Sequence, residues 1–149
     1  MTGFLLDTNV ISLLAPTKAP AHENLVRWLE AEDAKGLIFL SVVTVHEIEK
    51  GISLLVPKGA TSKAARLQIW LAGLAATYED KILPIDTAVS TLSGRLEAAA
   101  VAAGHTPGMA DALIAGTAKY HDLGVVTDNA RHFATFDVTM ISARDCRPD

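Results

Sequence analysis

Short β-rich runs alternate along this chain with longer stretches of helical periodicity. That order restricts the fold to an α/β architecture in which parallel strands are joined by crossover helices. The runs Gly3 to Leu6, Leu37 to Ser41, Ile82 to Ile85, Val125 to Thr127 and Val138 to Ile141 read as the strands. Between them, Ala21 to Glu32 sets Leu25, Trp28 and Leu29 on one helical face, opposite Glu23, Arg27 and Glu30. Thr44 to Leu55 and Thr61 to Thr77 read as a helical pair broken by Pro57 and Gly59. Asp86 to Ala103 reads as a helix capped by Asp86 and closed by Gly104. Thr106 and Pro107 then read as the N-cap and first position of another. No repeat or low-complexity linker breaks this order, so residues 1–149 are expected to form a single domain.

Half of the residues are apolar and a fifth are charged, a balance that suits a soluble globular protein and excludes a disordered one. Aromatic residues are few, so Leu, Ile, Val and Ala must build the core. The chain opens without the cationic lead and unbroken apolar run of a signal peptide, because Asp7 interrupts the first apolar stretch. No segment reaches the roughly 18 apolar residues of a membrane helix. A lone Cys146 has no partner for an internal disulfide or a thiolate metal site, and the expected setting is the reducing cytoplasm. The net charge of −4 argues against a non-specific nucleic-acid coat protein. It leaves room for an enzyme that gathers carboxylates around a cation, with a local basic rim drawn from Lys50, Lys58, Lys63, Arg66 and Arg131. The same side chains read equally well as ordinary solvated charges.

Four acids fall at informative places. Asp7 ends the first strand, Glu47 follows the second, Asp111 opens the helix after Pro107, and Asp128 follows Val125-Val126-Thr127. In a parallel sheet the strand-to-helix junctions share one edge, so acids distant in sequence converge there. Converging carboxylates repel one another unless a cation or a proton intervenes. An all-oxygen set without clustered His or Cys favours Mg²⁺ or Mn²⁺ over Zn²⁺. The chemistry this suits is metal-dependent phosphodiester hydrolysis. Each acid also has a structural explanation. Asp7 can cap a helix starting at Thr8. Thr44 and Glu47 match a Ser/Thr-x-x-Glu capping box. Asp111 can complement the positive end of its helix, although its spacing to Ile114, Ala115 and Ala118 is that of a core-facing residue. Asp128, followed by Asn129, can belong to a plain turn.

Nearly the whole chain resembles a PIN domain, specifically the VapC and FitB-like toxins. The likeness is carried by Leu5-Leu6-Asp7-Thr8-Asn9-Val10-Ile11-Ser12, by Leu40 through Ile52 with Glu47 at the second acid, by Met109-Ala110-Asp111-Ala112-Leu113-Ile114-Ala115, and by Val125-Val126-Thr127-Asp128-Asn129 through Phe133. Four such segments in order make a specific signature. The resemblance implies an α/β/α sandwich around a central parallel sheet of about five strands, in the order 3-2-1-4-5. It also implies a ribonuclease, the toxin of a type II toxin-antitoxin system, in which Asp7, Glu47 and Asp111 hold Mg²⁺ or Mn²⁺. Thr8 and Asn9 would stand behind Asp7 and orient it or its water, or else serve as helix caps.

One departure concerns the fourth ligand. Many PIN domains carry an acid where this chain has Asn129, and FitB-like chains often have Asn there. Either Asn129 contacts the metal through its amide or a water, or Asp128 reaches in from the adjacent position. A charge argument favours Asp128. By the same resemblance the protein would form a homodimer, act on RNA and bind a small antitoxin whose C-terminal segment blocks the acidic site. Ile52, Leu55, Leu67 and Trp70 are candidates for the dimer surface, unless they are core.

Two other readings fit the same residues. A non-catalytic PIN-like binding module would keep the fold without the metal. An aspartyl phosphatase of the haloacid-dehalogenase type also begins with a strand ending in Asp, but its second Asp is replaced here by Asn9.

Overall fold

The structure, a computed structural model, describes residues 1–149. Five short strands pair in parallel: β1 (Phe4–Leu6), β2 (Ile38–Ser41), β3 (Ile82–Leu83), β4 (Gly124–Thr127) and β5 (Met140–Ser142). Their order is β3-β2-β1-β4-β5, as the resemblance implied. The helices are α1 (Thr8–Leu13), α2 (Glu23–Ala34), α3 (Val42–Ser53), α4 (Thr61–Thr77), α5 (Thr87–Ala102), α6 (Met109–Tyr120) and α7 (Ala130–Phe133). None is long and apolar enough to cross a membrane.

Successive side chains of a strand point to opposite faces, and both faces here are covered. Leu6, Ile38, Leu40 and Val126 enter one core layer, with Leu25, Leu29, Ile48 and Leu71. Leu5 and Val125 enter the other, beneath Leu96, Ile114, Ala115 and Phe133. Continuous apolar strands such as Phe4-Leu5-Leu6 are therefore required rather than incidental. Ile52 lies in the first layer, 3% exposed, which removes it from any dimer surface. Leu55, Leu67 and Trp70 pack against that layer while remaining partly exposed.

Several boundaries differ from those read in the sequence, each for a local reason. The β3 ladder stops at Leu83 because Pro84 has no N–H to continue it. A turn from Phe136 to Val138 absorbs the start of the expected last strand, and β5 begins at Met140, opposite Val125. Helix α3 starts at Val42 because the Ser41 hydroxyl accepts from the Val43 amide at 3.0 Å. Pro20 lies in a 3-10 turn, Ala19–His22, that delays α2 to Glu23. Asp86 and Gly104 (φ 90°) bound α5 as expected. The reading of Thr106 and Pro107 as the start of the next helix is corrected. Gly108 is the extended N-cap of α6, and its carbonyl accepts from Ala112. This places Asp111 at the third helical position, in the turn facing the strand ends.

Helices α5 and α6 approach closely at Gly116. A Cβ there would overlap the Ser93 hydroxyl and stand 2.9 Å from Ser93 Cβ. Gly116→Ala should therefore force the two helices apart and destabilise the fold by about 1–3 kcal/mol, the usual cost of overpacking a core. Chemical denaturation reads this directly, and the double variant Ser93→Gly/Gly116→Ala should recover only part of the loss, because the Ser93 Cα still stands 3.0 Å from the added Cβ and Gly weakens α5.

Candidate active site

The carboxyl-terminal ends of β1, β2 and β4, with the first turn of α6, bring the predicted acids to one edge. Asp7 is only 4% exposed. It caps α1 by accepting the Thr8 amide on Oδ1 at 2.8 Å, so its structural explanation holds. Its other oxygen, Oδ2, accepts the buried Thr127 hydroxyl at 2.9 Å. Capping therefore explains one oxygen of a carboxylate withdrawn from water, not the burial itself. Burial pushes the Asp7 carboxyl up to about 6; the Thr127 and Thr8 hydrogen bonds oppose this, and the charges of Asp111 and Glu47 add to it.

Glu47 does not take part in a capping box. Because α3 begins two residues early, Thr44 sits inside the helix and is buried, and Ser41 serves as the cap. The Glu47 Oε1 instead accepts the Thr8 hydroxyl at 2.6 Å, and Thr8 Oγ1 lies 3.1 Å from Thr44 Oγ1. Thr8 thus reaches Asp7 with its amide and Glu47 with its side chain. Asp111 is partly buried at the start of α6. Burial raises its carboxyl above the usual range, His132 opposes the rise, and Glu47 adds to it. Asp7 therefore lies within the field of both other acids, and Asp111 within that of Glu47.

The fourth position divides. Asp128 is exposed, and its side chain lines a hollow of about 590 Å³ with His22, Asn24 and Arg144. Asn9 Oδ1 accepts the Asp128 backbone N–H at 3.1 Å, which ties Asn9 to this loop. Asn129 donates its amide to Thr127 Oγ1 at 3.0 Å, and its side chain meets His132 Nε2 at 3.1 Å. His132 Nδ1 lies 3.5 Å from Asp111 Oδ2.

Nothing in the sequence alone singles out Thr127 or His132. The signal for Thr127 was a hydroxyl residue closing an otherwise apolar strand. His132 has only its separation of three from Asn129 on a short helix, too little to point at Asp111.

A groove of about 220 Å³ runs from Thr8 and Glu47 between α1 and the α3-α4 pair. Ile48, Leu55, Leu67 and Trp70 form apolar walls, while Lys18 and Lys63 supply cations that make no ion pair.

Residues 4–138 match the PIN domain. The chain belongs to the PIN-domain family. It is 34% identical to Toxin FitB of Neisseria gonorrhoeae (strain ATCC 700825 / FA 1090) over 142 residues, covering 93% of this chain and 96% of the relative. The crystal structure of FitAcB from Neisseria gonorrhoeae is similar with a TM-score of 0.75 at 32% identity, over 95% of this chain and 99% of that one. DNA-bound VapBC from Salmonella typhimurium shares the fold, with a TM-score of 0.79 at 24% identity over 96% of this PIN domain and 99% of that chain. The family displaces the aspartyl-phosphatase alternative.

The donor set of this PIN domain fits a hard divalent cation. No three His, Cys, Asp or Glu side chains are clustered tightly enough to ligate one ion by themselves. Mg²⁺ needs no such cage, because it is held by one or two carboxylates and keeps several waters. Asp7 and Asp111, both raised by burial and by neighbouring negative charge, supply oxygens that a cation would relieve.

Proposed function

We propose that this PIN domain is the toxin of a type II toxin-antitoxin pair, a cytoplasmic ribonuclease that hydrolyses RNA phosphodiester bonds with Mg²⁺ or Mn²⁺. The observation that carries the reading is the convergence of Asp7, Glu47 and Asp111, from three separate junctions, at one partly buried edge. These residues would hold the cation. When bound, such a cation lowers the pKa of a water and offsets charge developing on the phosphodiester.

The chain's own groups prepare the site. Thr127 and the Thr8 amide hold the two Asp7 oxygens in place, and the Thr8 hydroxyl orients Glu47. Burial of Asp7 excludes bulk water and strengthens its interaction with positive charge. Lys18 and Lys63, beside the groove, offer contacts for the polyanionic backbone of RNA. Purified protein should cleave RNA in Mg²⁺ or Mn²⁺, lose activity in EDTA and regain it with added Mn²⁺. Cleavage that persists through exhaustive chelation would remove the metal from this reading.

A free ribonuclease endangers the cell that makes it, and the likeness to Toxin FitB and to the FitAB structure supports a partner that restrains it. The acidic edge would attract an Arg or Lys of that partner, and the adjoining groove would receive apolar side chains. Inhibition should then weaken as metal concentration rises. The check is co-expression with the neighbouring gene, pull-down, and RNase assay across a metal titration with each partner Arg or Lys replaced. A tight complex indifferent to metal and to every basic residue contradicts this mode of inhibition. The same purification, followed by light scattering, tests the proposed homodimer.

A further inference from the structure

The fourth position of the site holds Asn129, the place where many PIN domains carry an acid, and its contacts give it a different task. Its backbone N–H reaches Thr127 Oγ1 at 3.0 Å, whose hydroxyl donates to Asp7 at 2.9 Å. Its side-chain Nδ2 lies 3.1 Å from His132 Nε2, and the opposite ring nitrogen, Nδ1, lies 3.5 Å from Asp111 Oδ2. One residue is thus linked to two acids, through its main chain to Asp7 and through a histidine to Asp111.

The partners of the ring favour one tautomer. An amide N–H facing Nε2 requires a lone pair there, which leaves the proton on Nδ1. A carboxylate facing Nδ1 favours the same arrangement. Both neighbours therefore select the form in which His132 donates toward Asp111. A separation of 3.5 Å is too long for a strong hydrogen bond.

We infer that His132 is a positioning residue that orients the Asp111 carboxylate for the cation, and that Asn129 acts through His132 by setting its tautomer rather than as a ligand. The inference rests on the proposed metal site. It applies to this chain's pairing of Asn129 with His132, in which the amide offers a donor to Nε2 and a carboxylate would offer only acceptors.

The test uses the full chain and Mn²⁺ itself, with binding followed by calorimetry. His132→Ala should weaken Mn²⁺ binding about tenfold, the lower end of the range for groups that support metal ligands. His132→Gln, which keeps an N–H donor, should recover part of the affinity, whereas His132→Phe should not. Asn129→Ala should cost about as much as His132→Ala, and the double variant little more than either, because both remove one linkage. In the metal-free wild type at pH 8, imidazole ¹⁵N shifts should show the proton on Nδ1 of His132. A proton on Nε2, or additive losses in the double variant, would overturn the inference. If the wild type binds no Mn²⁺, the metal reading fails, while the ¹⁵N shifts still decide whether the linkage exists.

Discussion

Asp7→Asn is expected to melt at a higher temperature than the wild type in metal-free buffer at pH 8, while cleaving RNA far more slowly. The sign follows from the raised carboxyl. Asp7 titrates near 6 in the folded protein against 3.8 for an unperturbed group, so the native state holds this proton more tightly than the unfolded state does. Its contribution to stability is fully present below about pH 3.8 and is lost as the pH rises through about 6. Above that window the ionised carboxylate costs the apo protein on the order of 3 kcal/mol.

Asn keeps the shape, still caps α1 through its Oδ1 and carries no charge; its Nδ2 can only donate to Thr127 Oγ1, so the loss of an acceptor for the buried Thr127 hydroxyl offsets part of the gain, by about 1–3 kcal/mol. The variant should therefore gain a few degrees at pH 8, by the usual scaling of about 2–4 °C per kcal/mol for a chain of this size. The gain should vanish below pH 4. Mn²⁺ should reverse the ranking, because only the wild type binds it and ligands stabilise the state they bind. Activity should fall by two to three orders of magnitude, the loss typical when one charge-stabilising group is removed from a preorganised site. A lower melting temperature for Asp7→Asn at pH 8 would show that the carboxylate supports the fold instead of straining it.

Glu47→Gln should separate activity from stability just as sharply. In the sequence Glu47 had a structural explanation, the capping box with Thr44, and the structure removes it by starting α3 at Val42. A Gln amide oxygen still accepts the Thr8 hydroxyl, so the local hydrogen bond survives. Loss of the negative charge also relieves its repulsion with Asp7 and Asp111. The melting temperature should stay the same or rise slightly, with stability within about 0.5 kcal/mol of wild type. Cleavage should nevertheless fall about a hundredfold or more, since the lost charge is the one facing the proposed cation. A destabilised variant with retained activity would make Glu47 structural after all.

The α/β class and the shared edge of the three acids were legible because both depend on long-range regularities, apolar runs, helical spacing and the geometry of a parallel sheet, whereas the strand order came only with the family resemblance. What escaped depends on single atoms. Whether α3 began at Val42 or Thr44 turned on one hydroxyl, that of Ser41, and with it the role of Glu47. The start of α6 turned on Gly108 taking an extended conformation after Pro107. The choice of Asp128 over Asn129 followed net charge, whereas in the fold the charged residue faces a solvent hollow and the neutral one is linked to the acids. His132 joins the site only because α7 turns its ring toward Asp111, a contact no spacing in the sequence encodes.

The central claim is that Asp7, Glu47 and Asp111 form one divalent-cation site. Calorimetric titration of Mn²⁺ into the metal-free protein tests it most directly, with wild type, Asp7→Asn and Asp111→Asn compared at pH 8. The account predicts saturable binding by the wild type and its loss in both variants, with each variant still folded by circular dichroism. Undiminished Mn²⁺ binding by Asp7→Asn or by Asp111→Asn would contradict it.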